Sequence, residues 1–407
     1  MKKLLLMILI LAMLLAACSS AEEKDESQSK PDLLEADWEE ITEEASGSEV
    51  HIFMWGGDDG INTYIDEWVA PRLKDEHNIT LKRHPMDTAD FLSKLMTEKK
   101  AGKDDGTMDI IWINGENFKT AKENSLLYGA FAPKLPNLQD YIGEDKPYVN
   151  NDMGTSIDGL EAPWGKVQFV LNYDAAKVSD PPADFTALKQ WIEDNPGRFT
   201  YPNVSDFTGN AFVRHLLYDI QGKEDVLQNG YEEKWLKENG AEAWDRLNEM
   251  EGSLWRDGKT YPETLAKLDQ LYANGEVDFT MGFNERRTAS LIEDGVFPET
   301  TETLVIDPGS IGNTHYLSIP FNSPNEAAAM TAINFMLSPE AQIAKLAPAM
   351  WGEGSVIDPG KLMDEQLQRM EELGGETTVT AEDILPELDA RYADWIKEHW
   401  ENEVVQP

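Results

Sequence analysis

The polar side chains of Asn114, Glu116 and Asn117, together with Gly115, follow directly on the apolar run at 109–113. Amide and carboxylate groups of this kind can hydrogen-bond a small polar solute, and a glycine lets the backbone come close to it. The chemistry on offer is noncovalent recognition. The alternative is an ordinary polar turn after a strand, and the rest of the chain has to decide between the two.

Three other stretches combine glycines with polar or aromatic side chains, and each of them also follows an apolar run. Carboxylates lie in these stretches at Asp58 and Asp206, and side-chain amides lie at Asn210 and Asn284. Such groups could meet one ligand if the fold brings the strand ends together. The candidate ligand-binding residues of the three stretches are Trp55, Gly56, Gly57, Asp58, Asp206, Thr208, Gly209, Asn210, Gly282 and Asn284.

These residues are compatible with two classes of ligand. Carboxylates beside aromatic rings suit an organic cation, such as a thiamine-like or polyamine-like solute, through charge pairing and cation–π contact. An anion would instead use the helix starts at Thr208 and Asn284, together with Arg286. We rank the cation above the anion and above a sugar.

Motifs for metal, nucleotide or covalent chemistry are missing from the sequence. The six histidines show no metal-ligand spacing and no two tyrosines are adjacent, so we expect no ferric iron and no other metal. The glycines at 56–60 lack phosphate-loop and dinucleotide spacing. No Gly-x-Ser-x-Gly or His-Glu-x-x-His motif occurs. We therefore predict no cofactor, no catalytic residues and no enzyme.

The elements that must position the first two polar stretches are successive strands and helices. Strands are predicted at 50–55, 79–84 and 109–113, and each is followed by a helical pattern, of which the third begins at Phe118. Successive β-α units form a parallel sheet with right-handed connections. The carboxyl ends of the strands are where open α/β sheets place their ligands.

A second group of elements follows the same logic. Strands are predicted at 198–201 and 277–281, directly before the other two polar stretches, and an amphipathic helix at 380–405 ends the chain. Long strands at 166–173 and 314–320 carry the chain across to this second group and back. Two lobes are also the default for a chain that exceeds one ordinary core.

The N-terminus has the features of a processing signal. Two lysines precede the apolar stretch at 4–15, and the following Leu-Ala-Ala-Cys resembles the lipobox of bacterial lipoproteins, with Cys18 the only cysteine in the chain. The resemblance implies cleavage before Cys18 and a diacylglycerol on its thiol. We predict a signal peptide at 1–17, a flexible acidic tether at 18–48, and an extracytoplasmic protein held at the cell membrane by its lipid.

The chain is strongly acidic, with a formal net charge of −41. The predicted signal carries two lysines and no acids, so its removal leaves −43. A nucleic-acid partner is excluded because phosphate binding needs a basic face. The charge describes a solvated surface that resists association, so we expect a monomer. Life in saline or alkaline surroundings is a further hypothesis for this acidity.

Several segments together resemble one large family. The block Ile111–Phe118 and the nearby Leu126–Gly129 are similar to the YnjB-like branch of ABC-transporter substrate-binding proteins. The segments Asn322–Asn325 and Ala332–Gln342 resemble the part that follows the return crossover in many family 1 members. On these residues the chain is identified as an extracellular substrate-binding lipoprotein of family 1. The wider group binds thiamine, polyamines and ferric iron.

The resemblance implies an α/β architecture with two lobes. This is the periplasmic-binding-protein-like type II fold, in which each lobe is a mixed β-sheet flanked by helices. The C-terminal helices would pack on the lobes. The implied divisions are 49–164 with 317–360 for lobe 1, 165–316 for lobe 2 and 361–407 for the C-terminal helices.

The same resemblance implies a site and partners. A small ligand would lie in the cleft between the lobes, where the crossover strands bring Trp164 and Tyr316 to the wall. Closure of the lobes would bury the solute, and an ABC permease with its ATPase would receive it.

Two rival functions remain open at the level of sequence. An anchored extracellular hydrolase, such as a glycosidase, would need two carboxylates at a fixed separation, and no motif isolates such a pair. A sensor lipoprotein that transports nothing could use the same fold. Adjacent permease and ATPase genes would favour transport over both.

Overall fold

The computed structural model describes residues 33–223, 225–226, 230–347, 350–374, 379 and 383–405. The predicted signal peptide and residues 18–32 of the predicted tether, including Cys18, lie outside these residues. Two hydrophobic cores, one on each side of a pair of long strands, define two lobes. The architecture is a mixed α/β fold.

Strands form the centre of both lobes. In chain order they are β1 Glu49–Met54, β2 Thr80–Pro85, β3 Ile110–Ile113, β4 Asn151–Asp152, β5 Thr155–Ser156, β6 Glu161–Asp174, β7 Phe279–Phe283, β8 Thr301–Leu304, β9 Ser310–Ser318 and β10 Ile384–Leu385.

Helices cover the strands. The α-helices are α1 Trp38–Ala45, α2 Asp59–Thr63, α3 Ala70–His77, α4 Thr88–Lys100, α5 Gly115–Glu123, α6 Pro147–Asn150, α7 Phe185–Asp194, α8 Phe207–Gln221, α9 Glu233–Asn239, α10 Ala241–Glu251, α11 Leu265–Ala273, α12 Glu285–Glu293, α13 Glu326–Met336, α14 Pro339–Lys345, α15 Asp364–Gly374 and α16 Ala390–Trp400. Short π-helical turns lie at Tyr64–Val69, Leu138–Ile142 and Glu401–Val405, and 3-10 turns at Ala132–Lys134, Trp255–Gly258 and Pro359–Lys361.

Lobe 1 is built on five strands in the order β2-β1-β3-β9-β6. β1 pairs in parallel with β2 and β3, as the successive β-α units predict. β9 pairs antiparallel with both β3 and β6, which makes the sheet mixed. Apolar side chains pack on both faces of this sheet, and its central strand β3 is accordingly short and entirely hydrophobic.

The two crossing strands β6 and β9 belong to both lobes. Residues 161–168 of β6 pair with β9, whereas residues 169–174 pair antiparallel with β7 and β8 of lobe 2. The first residues of β9 pair with β10. Because the strands run antiparallel and side by side, they connect the lobes at one boundary.

His215 of α8 holds β9 against lobe 2. Its Nδ1 donates to the Ala211 carbonyl at 3.0 Å, and its Nε2 accepts the Ile311 backbone N–H at 2.9 Å. Burial lowers the pKa of His215 to about 3, so the ring is neutral and both nitrogens keep these roles.

The predicted tether extends too far along the chain. Asp37 and Glu40 form a reciprocal capping box at the start of α1, and Ile41 of this helix is fully buried against the core of lobe 1. Apolar burial and capping order the segment, so residues 33–48 are part of lobe 1. The tether prediction then applies to residues before 33.

Two other predicted boundaries are wrong in ways that matter for the candidate residues. Helix α5 begins at Gly115 and not at Phe118, so Glu116 and Asn117 lie in its first turn. Gly282 lies inside β7, in register with Val170 of β6, and not in a loop. A strand-end glycine cannot be distinguished from a strand glycine by local pattern alone.

Residues 198–201 do not form a strand, although three of the four are apolar or β-branched and fully buried. Their backbone is hydrogen-bonded to single residues outside any strand, since Trp255 donates to the Phe199 carbonyl and Asp278 to the Arg198 carbonyl. A buried apolar segment that has no neighbouring strand can therefore have the same sequence pattern as a strand.

The end of the chain returns to lobe 2. The helix predicted at 380–405 is shorter, at Ala390–Trp400, and β10 precedes it. Tyr392, Ile396 and Trp400 are buried in the core of lobe 2, while Met370 of α15 packs against the core of lobe 1.

Candidate functional site

Glu116 in the first turn of α5 joins the two lobes. Its Oε1 accepts a hydrogen bond from Lys397 Nζ of α16 at 2.7 Å. Burial works to raise the pKa of Glu116, but the charges of Lys397 and Arg214 and the Lys397 hydrogen bond bring it below its usual value. Lys119 of α5 also lies 3.6 Å from Asp394 of α16. We call Glu116, Lys397, Lys119 and Asp394 the Glu116 corner.

Gly115 and Asn114 are placed beside this corner by backbone geometry. Gly115 has a φ of +60° and its N–H donates to the buried carboxyl of Asp152. Burial raises the pKa of Asp152 well above its ordinary value. Asn114 reaches the crossing strand β9 instead, where its Nδ2 lies 3.4 Å from Asn313 Oδ1. Asn117 is half-buried on α5.

The stretch at 206–210 is the start of α8, and its polar groups are largely engaged within lobe 2. Asp206 accepts the N–H groups of Thr208 at 2.8 Å and Gly209 at 3.3 Å, so these donors are not free to hold an anion. It also accepts the Leu265 N–H at 3.1 Å. Burial raises the pKa of Asp206.

Asn210 belongs to a buried network beneath the Glu116 corner. Its Oδ1 accepts from Arg214 Nη1 at 2.5 Å, and its Nδ2 donates to the carbonyls of Val204 and Ala393. Arg214 is fully buried and binds Glu387 with two nitrogens, at 3.0 and 3.2 Å. The Asn210 amide therefore connects α8 to α16.

The second contact between the lobes lies at Asp58, which caps α2 by accepting the Ile61 N–H at 3.1 Å. Arg287 of α12 reaches across from lobe 2 and lies 3.3 Å from Asp58 Oδ2 and 2.7 Å from Asp269 Oδ2. Burial works to lower the pKa of Arg287, but the charges of the two aspartates raise it above its ordinary value. We call Asp58, Asp269 and Arg287 the Asp58 corner.

Asn284 extends this second contact. Its side-chain Oδ1 accepts the Arg286 N–H at 3.2 Å at the start of α12, and its Nδ2 donates across the boundary to the Trp351 carbonyl at 3.4 Å. Trp55 is half-buried at the end of β1, beside Gly56 and Gly57. A side chain at Gly57 would collide with the Trp55 ring, so the glycine sets the position of that indole.

Trp164 and Tyr316 are buried inside lobe 1. The Trp164 ring packs edge-on against Trp112 and Trp351, with ring centroids 5.6 and 4.7 Å apart. Tyr316 lies in the core on the other face of the sheet, and its hydroxyl donates to the Tyr148 carbonyl at 3.0 Å. Both rings are fully buried in this arrangement, so they stabilise the lobe boundary by packing inside lobe 1.

A buried charge cluster holds the loop that carries Trp351. Glu353 lies 2.9 Å from Lys345 Nζ and also contacts His315 Nδ1, and neither Glu353 nor Lys345 is exposed. Burial lowers the pKa of Lys345, and the charge of Glu353 opposes that change. Only a glycine at 165 leaves room for the Glu353 carboxylate. We call Lys345, Glu353 and His315 the Glu353 cluster.

Sequence reasoning missed the residues that complete these contacts. Lys397, Asn313 and His315 lie in a terminal helix and a crossing strand, far along the chain from their partners. Arginines in an acidic chain more often pair with nearby carboxylates than contact a ligand, and Arg287 pairs with Asp58 and Asp269. A lone lysine or asparagine in an acidic chain gives no comparable signal.

Within the described residues, no helix combines the length and the apolar character that a membrane span requires. The same residues contain no group of three or more histidine, cysteine, aspartate or glutamate side chains that could hold a metal ion.

We expect Glu116→Ala to separate a role in lobe contact from a role in folding. Lys397 is one-third exposed, so its ammonium can turn to water when its partner is lost, and the free energy of unfolding should change by less than about 1 kcal/mol. The contact between α5 and α16 should loosen, which faster amide exchange in α16 would reveal. Glu44→Ala, at an exposed site on α1 of the same lobe, is the control. A destabilisation above about 3 kcal/mol would make Glu116 a folding residue.

The comparisons with known proteins agree with this architecture. Residues 68–358 match the family described as bacterial extracellular solute-binding protein. Protein YnjB of Escherichia coli strain K12 is 36% identical over 363 residues, which cover 89% of this chain and 91% of that protein. This agrees with the branch that the sequence motifs resemble.

Solved structures share the fold at low identity. The periplasmic binding protein AfuA of Actinobacillus pleuropneumoniae, with fructose-6-phosphate bound, is similar with a TM-score of 0.63 at 13% identity, covering 89% of this chain and all of that one. A spermidine/putrescine ABC transporter protein of Listeria monocytogenes gives a TM-score of 0.59 at 16% identity, over 88% and 99% of the two chains. With the family match, the lobes and the crossing strands agreeing, the chain belongs to the bacterial extracellular solute-binding proteins.

Proposed function

We propose that this protein is a lipid-anchored, extracytoplasmic receptor that captures a small polar solute between its lobes and delivers it to an ABC importer. The observation that carries the proposal is the boundary between the lobes. Polar groups from both lobes meet there at two corners, and two crossing strands connect the lobes beside them. Such a boundary can open and close around a solute.

The solute in this proposal is polar, and the earlier preference for an organic cation loses most of its support. That preference depended on Asp58, Asp59, Glu116 and Asp206. Asp58, Glu116 and Asp206 are already engaged by Arg287, by Lys397 and by backbone N–H groups, while Asp59 is exposed in α2. A cation would have to displace these partners. Among structural relatives, the described ligands range from fructose-6-phosphate to iron with citrate, so the fold alone does not choose.

The partners in this proposal are a permease and an ATPase of an ABC importer, with the protein acting as a monomer. The solute is released unchanged, since the proposed mechanism consists of binding, closure and handover. Half-buried aromatic rings of lobe 1, such as Trp55 beside the Asp58 loop, would supply apolar contact area.

Native mass spectrometry of the purified protein tests the proposal. We expect a bound small molecule that is lost on mild denaturation, and its return should decrease the radius of gyration in small-angle scattering. The probe is the mixture of small molecules that passes through a dialysis membrane from yeast extract. A correctly folded protein that takes up no solute from this mixture would overturn the proposal.

Cys18→Ser tests the lipid anchor separately. Without the thiol no diacylglycerol can be attached, so we expect the variant to move from the membrane fraction to the soluble extracytoplasmic fraction. Immunoblots of the two fractions measure this. Ser19→Ala is the matched control and should stay with the membrane. Retention of the Cys18 variant at wild-type level would contradict lipid anchoring.

A further inference from the structure

Asn313 lies at the point of β9 where the strand passes from one lobe to the other. Two residues before it, Ile311 is fastened to His215 of lobe 2, and two residues after it, His315 contacts Glu353 of lobe 1. Its neighbour across the crossing strands is Val167 of β6. The side chain is 4% exposed, so it is enclosed where the two lobes meet.

The side-chain amide of Asn313 is hydrogen-bonded through its oxygen but not through its nitrogen. Its Oδ1 accepts a hydrogen bond from Asn114 Nδ2 at 3.4 Å, which brings it to the end of β3. Its Nδ2 has no hydrogen-bond partner in the part of the chain that the structure describes. A buried amide with unused donors is unfavourable, and native proteins keep such groups where something else completes them.

The polarity of the unused group selects the chemistry that could complete it. At the Glu116 corner Lys397 pairs with Glu116, and at the Asp58 corner Arg287 is shared by Asp58 and Asp269. At Asn313 itself the unused capacity is the pair of N–H donors on Nδ2. An oxygen acceptor satisfies two N–H donors, whereas an ammonium group would face them with like polarity.

We infer that Asn313 is a ligand-binding residue whose Nδ2 donates to an acceptor oxygen of the solute, such as a carboxylate, carbonyl, hydroxyl or phosphoryl oxygen. Asn114 acts as the positioning residue that holds the amide in this orientation. The inference rests on the proposed function, and it excludes a polyamine as the solute because a polyamine has no acceptor oxygen.

Capture of solute by Asn313→Asp and Asn313→Leu tests the inference. Wild-type and variant proteins are stripped by mild denaturation, refolded, and equilibrated with the dialysed small-molecule fraction of yeast extract or with spermidine alone. Native mass spectrometry then measures occupancy. Asn239→Asp, at an exposed asparagine of α9, controls for the added charge.

The expected results differ between a binding role and a structural role. Asn313→Asp replaces donors by acceptors and should weaken capture at least about ten-fold, the usual effect of losing a hydrogen bond to a charged group, while Asn239→Asp leaves capture unchanged. Asn313→Leu removes the unused donors, so it should abolish capture while the solute-free melting temperature stays the same or rises. The captured solute should contain an acceptor oxygen.

The outcomes that overturn the inference are distinct from those that overturn the proposed function. Undiminished capture by both Asn313 variants, or tight capture of spermidine, rejects the role of Asn313 while solute binding stands. Lower melting temperatures for both variants, with unchanged capture per folded molecule, assign Asn313 to structure. Absence of capture by the wild-type protein rejects the proposed function itself.

Discussion

Glu353→Leu is expected to lower the free energy of unfolding by about 3–5 kcal/mol, because it leaves the ammonium of Lys345 buried without its carboxylate. Neither side chain of this pair is exposed, so water cannot replace the lost partner. Chemical denaturation at neutral pH measures the change. Unchanged stability of the single variant would show that Lys345 is neutral in the fold or escapes to solvent.

The double variant Lys345→Met with Glu353→Leu is the matched control. It removes both charges and fills the space with apolar groups, so most of the stability should return. Comparing the single and double variants also isolates the contribution of the Glu353 cluster to the contact between the lobes. Glu353 holds the loop whose Trp351 carbonyl accepts the hydrogen bond from Asn284 of lobe 2, so losing this order should weaken the lobe contact.

Trp164→Ala is expected to have the second large effect, lowering the free energy of unfolding by about 3–5 kcal/mol. The indole is fully buried between Trp112 and Trp351, and its loss leaves a cavity that the surrounding rings cannot fill. Chemical denaturation again measures the change. Trp55→Ala is the control, since that ring is only half-buried against the core of lobe 1 and its loss should cost less stability.

The two tryptophan variants also distinguish a residue that contacts the solute from a residue that stabilises the core behind the site. A Trp164 ring in contact with solute would make Trp164→Ala reduce solute capture per folded molecule without a large loss of stability. That outcome would contradict the structural role assigned by burial. Equal and small losses for both variants would show that the core around Trp164 can collapse into the space.

The family and much of lobe 1 could be predicted from local sequence. The runs at 50–55, 79–84 and 109–113 were predicted as strands and the segments after them as helices, so the parallel pairing of β1, β2 and β3 follows from short-range physics. Their order, with β1 between β2 and β3, was not predicted. Boundaries were less predictable. The end of the tether was predicted too far along the chain, because the burial of Ile41 depends on α13, nearly three hundred residues further on.

The sequence alone determined the class of this protein and the two-lobed α/β plan, because these depend on patterns within a few residues. Only the tertiary structure decided what those residues do. Glu116, Asp58 and Asp206 looked like free carboxylates, yet each is engaged by a partner 2 to 281 residues away. Ion pairing and burial depend on distances in space, which composition and spacing do not encode. For the same reason the donor of Asn313, invisible in the sequence, became the group through which we propose the solute is recognised.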